Sequence, residues 1–178
     1  MNGRVLVAYA SKYGSTAEIA QKMGAQLTRA GFATDVVPVT EVADLTPYRA
    51  AIVGSAVYVG QWRKEAAAFL ELHEHALAAR PVWLFSTGPT GEGDPVQLMK
   101  GWRFPEALQP VADRIHPRGI ALFHGALDVK NLSLPEKVII KGVKAPVGDY
   151  RDWAAVAAWT DAVARELAGQ RVPAPSIS

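Results

Sequence analysis

The chain has 178 residues, a formal net charge of +2 and no cysteine. That length suits one domain with a sizeable core. The charge is too small to suggest a nucleic-acid partner, and the lack of cysteine excludes disulfides, thiol nucleophiles and Cys-ligated zinc or iron–sulfur centres. Redox chemistry in such a chain has to come from a bound cofactor. Apolar residues are 49% and charged residues 20%, ordinary values for a globular protein. No apolar run approaches a membrane span and no signal-peptide pattern opens the chain, so the expected location is cytoplasmic.

Arg4 to Tyr9 is an apolar, β-branched run that reads as a buried strand. Thr16 to Ala30 places Ala17, Ile19, Ala20, Met23 and Leu27 at helical spacing, and Gly31 suits the C′ position that closes a helix. Phe32 to Val39 is a second strand; Pro38 inside it marks an edge, because a central strand needs that N–H. Glu41 to Tyr48 reads as a connector with one turn of helix. Ala50 to Ser55 is apolar on both faces, as a central parallel strand should be. Lys64 to Ala79 reads as a helix and Pro81 to Phe85 as a fourth strand. Ser86 to Pro95 is a loop, and a short helix is expected over 105–115. Gly119 to Leu127 is a fifth strand, Leu134 to Lys144 a helix opened by the capping box Ser133-Leu134-Pro135-Glu136, and Tyr150 to Ala168 the last helix. The Pro- and Ser-rich tail, 170–178, is expected to be loose.

Strands alternating with helices imply parallel strands joined by right-handed crossovers. The expected fold is an α/β doubly wound sandwich, with a five-stranded parallel sheet in the order 2-1-3-4-5 and helices on both faces. One domain spans 1–169. Such sheets bind ligands beyond the carboxyl ends of their strands, at the switch point between strands 1 and 3.

The loops after strands 1, 3 and 4 all have ligand-loop chemistry. The first is Ser11-Lys12-Tyr13-Gly14-Ser15-Thr16. N–H groups at a helix start point outward unpaired, the helix dipole adds positive potential, and Gly14 removes a Cβ from the approach. Hydroxyls on Ser11, Ser15 and Thr16 complete a phosphate cradle. The alternative is plain capping, since Ser15-Thr16-Ala17-Glu18 is itself a capping box. Neither the dinucleotide fingerprint nor a P-loop is present. The second loop holds Ala56, Val57, Tyr58, Gly60 and Trp62, with two aromatics on which a planar ring could stack. The third holds Ser86, Thr87, Gly88, Pro89, Gly91 and Gly93, rich in backbone donors and acceptors. For each aromatic, the alternative is simple packing under a loop.

Val5 to Met23, with Tyr9, Ser11, Gly14, Thr16 and Ala20 at their spacing, resembles the flavodoxin N-terminal signature. Gly54-Ser55-Ala56 with Tyr58 and Gly60, His124-Gly125-Ala126-Leu127, and Asp149-Tyr150-Arg151-Asp152-Trp153 resemble the flavodoxin-like branch that includes menaquinone-dependent protoporphyrinogen oxidase. The resemblance implies FMN, with its phosphate on Ser11, Tyr13, Gly14, Ser15 and Thr16, Lys12 beside them, and its isoalloxazine between the second and third loops. It implies an oxidoreductase passing electrons between a porphyrinogen, a quinone or a reductase partner. Departures from the pattern are bulky Tyr13, Ser15 where Asn is usual, and the lack of the Gly-Asp-Ser/Tyr pattern after Phe85. A non-enzymatic electron carrier and a flavin-free interaction module are the other readings. No side chain reads as a catalytic acid or base, and no metal-ligand set is evident.

Asp128 to Lys144 carries Lys130, Lys137, Lys141 and Lys144 among Leu132, Leu134, Val138, Ile139, Ile140 and Val143. Such a helix either packs on the core with a solvated lysine face or lies against an anionic membrane surface or a quinone through 130–144. His73 and His75 do not share a helix face. His124 reads as a satisfied strand histidine. Glu92 and Asp94 either act on a nearby ring or shape a turn.

Overall fold

A computed structural model describes residues 3–170; the tail segment 171–178 lies outside the described residues. The strands are β1 (Arg4–Ala10), β2 (Thr34–Pro38), β3 (Tyr48–Tyr58), β4 (Gln61–Trp62), β5 (Val82–Thr87), β6 (Gly119–Phe123), β7 (Ala126–Leu127) and β8 (Gly148–Asp149). The helices are α1 (Ser15–Arg29), α2 (Lys64–Leu72), α3 (Glu74–Ala78), α4 (Pro95–Leu98), α5 (Gln109–Ile115), α6 (Leu134–Val143) and α7 (Trp153–Gly169). The main sheet runs β2-β1-β3-β5-β6, all parallel. This is the anticipated 2-1-3-4-5 order, with the hairpin strand β4 counted between the third and fourth main strands.

The period-2 pattern of the central strands sorts the core into two layers. Leu6, Ala8, Ala51, Val53, Val82 and Leu84 face α2, α3 and α5. Val5, Val7, Ala50, Ile52, Trp83 and Phe85 face α1 and α7. α1 answers with Ile19, Ala20, Met23 and Leu27 on one stripe and ends where Gly31, at φ 90°, donates its N–H to Thr28. α7 starts at Asp152, whose carboxylate accepts the Ala155 N–H at 3.0 Å, and buries Val156, Thr160, Val163, Ala164 and Leu167. Among the described residues β2 pairs only with β1, and Pro38 sits at its end, so the proline costs no ladder bond.

Four segments differ from the expected boundaries. The third strand continues through the second loop to Tyr58 and returns as β4, with Val57 opposite Trp62 and Tyr58 opposite Gln61. The turn is two residues, Val59 and Gly60, both at positive φ, the geometry that matches strand twist. The expected helix 64–79 breaks at His73 into α2 and α3. α4 was not anticipated; Asp94 caps it. The fifth strand stops at Phe123, and Ala126–Leu127 pairs with β8 in a separate two-stranded ribbon.

Candidate functional site

The first loop puts Gly14 at the N-cap of α1 with φ 93°, and no side chain caps the helix. The first intrahelical bond runs from the Glu18 N–H to the Gly14 carbonyl at 3.0 Å. The N–H groups of Ser15, Thr16 and Ala17 therefore have no acceptor within the helix. The capping box read from Ser15 and Glu18 does not form. The Ser15 hydroxyl instead accepts the Ala126 N–H at 3.3 Å, and the Glu18 carboxylate pairs with Arg151 at 2.7 Å. The physical reason is register: α1 starts at Ser15, so Ser15 is inside the helix and Gly14 occupies the cap. The Ser11 hydroxyl accepts the Gly14 N–H at 3.0 Å. A Cβ built on Gly14 would meet nothing within 4 Å, and a cleft of about 290 Å³ opens beside Ser11, Gly14 and Ala17. The start of α1 thus faces open space at Gly14, and Pro38, Val39, Thr40 and the acidic Glu65 also line the cleft.

Thr16 is 1% exposed, and its hydroxyl is 2.6 Å from that of Thr87. It faces the protein, not the mouth, so its contribution to a cradle is its N–H. Lys12 and Tyr13 also turn aside. The Lys12 ammonium pairs with Glu136 at the start of α6, and the Tyr13 hydroxyl donates to the same carboxylate at 2.6 Å. The Glu136 carboxyl is held well below the usual carboxylate range by Lys12 first, then Tyr13 and Ser133. The Lys12 Nζ lies 5.1 Å from the Tyr13 ring and 5.9 Å from the Tyr58 ring.

In the second loop Ala56 and Val57 belong to β3, and Tyr58 stands at the surface, 39% exposed, with burial of its inner part pushing the phenol up. Trp62 turns inward. It is 5% exposed, its indole N–H donates to the Ser86 hydroxyl at 2.8 Å, and Phe104 meets it edge-on at 5.0 Å between centroids. Of the two aromatics anticipated as a stacking platform, Tyr58 is accessible, whereas Trp62 is a core residue with its N–H satisfied.

Ser86 and Thr87 are the buried end of β5. Beyond them the loop is stitched to the end of β6. The Gly88 N–H donates to Phe123 at 3.3 Å, and the Pro89 carbonyl accepts from Gly125 at 3.1 Å. A Cβ on Gly88 would sit 3.2 Å from that of Val57, so the second and third loops touch. Gly91 and Gly93 have φ 126° and 99°, which other residues adopt only with strain. Asp94 shapes the exit by accepting from Val96 and Gln97. The structure thus gathers the three expected loops at one end of the sheet.

Two residues outside the three loops tie them to their surroundings. The Arg151 guanidinium is held by Asp149 first and then Glu18, and is pushed up by both; it also reaches the Ser15 carbonyl at 3.4 Å, tying β8 to the first loop. Its signal was the acidic flanking in Asp149-Tyr150-Arg151-Asp152. His124, read as a satisfied strand histidine, lies just after β6 beneath the third loop and is indeed partnered, with a ring nitrogen 3.0 Å from the Pro89 carbonyl and the other 2.7 Å from that of Gly93.

α6 forms with its predicted capping box but buries none of its residues, so the core-helix reading of 134–144 is corrected. Leu134, Val138 and Val143 are 78%, 71% and 67% exposed. Lys137, Lys141 and Lys144 with Val129, Ile140 and Val147 line a cleft of about 490 Å³. Among the described residues no helix is long and apolar enough to cross a membrane, and no group of three or more His, Asp or Glu could hold a metal ion.

Residues 6–153 match the model of a flavodoxin domain family. No curated protein matches the chain in sequence. Among solved structures, it is similar to rubredoxin:oxygen oxidoreductase from Desulfovibrio gigas, with TM-score 0.61 and 12% identity over 93% of this chain; it spans 36% of that one. It is similar also to a flavodoxin of Streptococcus pneumonia TIGR4, with TM-score 0.57 and 18% identity over 94% of this chain and 99% of that one. A flavodoxin from the domain Archaea matches with TM-score 0.53 and 17% identity over 79% of this chain and 99% of that one. At these identities the likeness is one of fold.

Proposed function

This chain belongs to the flavodoxin domain family, whose members typically bind FMN, and on that premise we propose that residues 1–169 form one FMN-binding redox domain. The observation that carries the reading is the open helix mouth: Gly14 at the N-cap without a side-chain cap, and three successive N–H groups pointing out of α1. A phosphate suits that position by hydrogen bonding and by the helix dipole. The donors are the N–H groups of Ser15, Thr16 and Ala17 and the loop from Ser11 to Gly14, with Gly14 giving close backbone approach. Tyr58 offers the ring face, with Ala56, Val57 and Gly60 around it. Gly88, Pro89, Gly91 and Gly93 offer backbone groups to the ring's polar edge. When bound, the flavin supplies the electron or hydride transfer; the protein's part is to hold it, orient it and limit water.

The finer reading is an oxidoreductase like menaquinone-dependent protoporphyrinogen oxidase, with a quinone as electron acceptor. α6 supports it, because a helix exposing Leu134, Val138 and Val143 beside Lys137, Lys141 and Lys144 has the two faces that an anionic bilayer surface attracts. On this reading the protein works at the membrane's inner face, where quinones reside. The alternative, an electron carrier serving a protein partner, draws its support from the flavodoxins it resembles in fold.

Absorbance of the isolated protein, followed by titration with FMN and with riboflavin, tests the cofactor. The expected result is FMN binding far tighter than riboflavin binding, because the phosphate occupies the helix mouth. Equal affinities would remove the assignment, and no binding of either would remove the function. Flotation with anionic and with neutral vesicles tests α6; binding to neither excludes the membrane reading.

A further inference from the structure

The N–H groups of Ser15, Thr16 and Ala17 lead α1, and the Glu18 N–H is the first to bond within the helix. Arg151 takes hold of this turn at both ends. Its Nη1 donates to the Glu18 carboxylate at 2.7 Å and reaches the Ser15 carbonyl at 3.4 Å. The guanidinium is itself fixed from the other side. Asp149 accepts from Nε at 2.9 Å and from Nη2 at 2.6 Å, a bidentate pair, and the Trp153 ring centroid lies 4.8 Å away. The side chain is 10% exposed. Two carboxylates surround one cation, so the group offers a ligand position rather than free positive charge.

The Ser15 carbonyl and the Thr16 N–H are the two ends of one planar peptide. A donor held on the carbonyl fixes the tilt of that plane, and with it the direction of the N–H, and polarises the N–H as well. Thr16 has only this N–H to give a phosphate, because its hydroxyl is turned to Thr87. The Ser15 hydroxyl is held by the Ala126 N–H at 3.3 Å, and Ala126 stands opposite Asp149 in the β7–β8 ribbon. One ribbon therefore grips Ser15 by its side chain and, through Arg151, by its backbone. We propose that Arg151, braced by Asp149 and Trp153, is the positioning residue of the phosphate cradle: it aims the Thr16 N–H and thereby sets the preference for a phosphorylated flavin over an unphosphorylated one.

The inference rests on the FMN reading, and the failures of the two are distinguishable. Arg151→Met with Glu18→Gln removes one cation and one carboxylate together, so the local charge is unchanged. The Kd for FMN should rise roughly tenfold, the worth of one hydrogen bond, at low and high salt alike, because a loss of aim is not screened. Riboflavin, which has no phosphate, should bind as before. A brace that only joined α1 to α7 would weaken both flavins together or neither, so an unchanged ratio of the two affinities overturns the proposal. Arg151→Lys keeps the cation but not the fork and should lower the ratio too; full parental selectivity in that variant would show that charge suffices, and overturns the proposal. If the double variant does not fold, the lysine variant decides alone. In the flavin-free protein the Thr16 amide nitrogen, bonded to the carbonyl carbon that Arg151 addresses, should shift in either variant while the amides of α5 stay in place. An unmoved Thr16 signal overturns the proposal without any ligand. A parent protein that binds neither flavin removes the FMN reading and this inference with it; a parent that binds FMN, with variants that keep its selectivity, removes this inference alone.

Discussion

The hydroxyl pair of Thr16 and Thr87 makes a decisive test of how the first and third loops are joined. Both residues are nearly inaccessible, 1% and 2% exposed, and their oxygens are 2.6 Å apart. Thr16→Val keeps the shape but leaves the Thr87 hydroxyl buried without its partner, which costs about 1–3 kcal/mol. Thr87→Val does the reverse. The double change removes both polar groups together, and replacing both members of a buried pair by apolar groups of similar shape is nearly neutral. The expected coupling energy is therefore ~1–2 kcal/mol, the size seen for residues in direct contact. With a urea m-value of about 2 kcal/mol/M, each single variant should lower the unfolding midpoint by roughly 0.5–1.5 M, and the double variant by less than the sum. Strict additivity would refute the hydrogen-bond account. The same variants decide how Thr16 meets a phosphate. If it contributes only its N–H, the double variant should bind FMN within about threefold of the parent, well below the cost of losing a charge-assisted bond. A collapse of affinity with stability retained would show that the hydroxyl reaches the cofactor.

Gly14→Ala should cost about 1–2 kcal/mol in unfolding free energy, because φ 93° is strained for an L-residue, and should weaken FMN binding as well; unchanged FMN affinity would count against the cradle. Gly54→Ala should be worse for the fold, since its Cβ would fall 2.1 Å from the Phe85 ring in a core that cannot yield. A loss of about 3 kcal/mol is expected, measured by thermal or urea unfolding, with partial recovery on adding Phe85→Leu. Glu136→Gln should loosen α6 without touching the sheet, read as faster amide exchange confined to 134–143. Because Lys12, Tyr13 and Ser133 lower the Glu136 carboxyl in the folded protein, its contribution is present above the ordinary glutamate range, ~4.3, and lost as pH falls toward the depressed value. Protection of α6 should thus be flat from neutral pH to about 5 and decline only in stronger acid.

The sheet was legible because the central strands are apolar on both faces, as only doubly covered strands need to be. Val5 and Val7 face one helical layer, and Leu6 and Ala8 the other. The edge position of β2 was legible from Pro38. The open cradle was legible in composition but not in detail. Whether Ser15 caps α1 depends on a one-residue choice of helix start, which Gly14 settles by adopting φ 93°. Trp62 misled because an aromatic in a loop looks like a platform until its partner is known, and that partner, Ser86, lies on the neighbouring strand. The hairpin at Val59-Gly60 was hidden because valine is a poor residue for positive φ. The break at His124 was hidden because the apolar pattern runs through it. The Lys12–Glu136 pair spans 124 residues, a separation at which no local pattern carries information.

These long-range bonds bear on how a ligand would be bound at all. Thr16 with Thr87 ties the first loop to the third. Trp62 with Ser86, and Gly88 against Val57, tie the second to the third. Ser15 with Ala126, and Arg151 with Glu18, tie the first to the ribbon beyond β6. A site whose walls are joined before the ligand arrives loses little loop entropy on binding, and that loss is a main cost of association. Lys12, the cation of the first loop, is engaged by Glu136, so a phosphate held at the helix mouth, as proposed, would be attracted through amides and dipole more than through a free charge. Affinity there should depend on geometry, which the cross-ties fix, and only weakly on ionic strength.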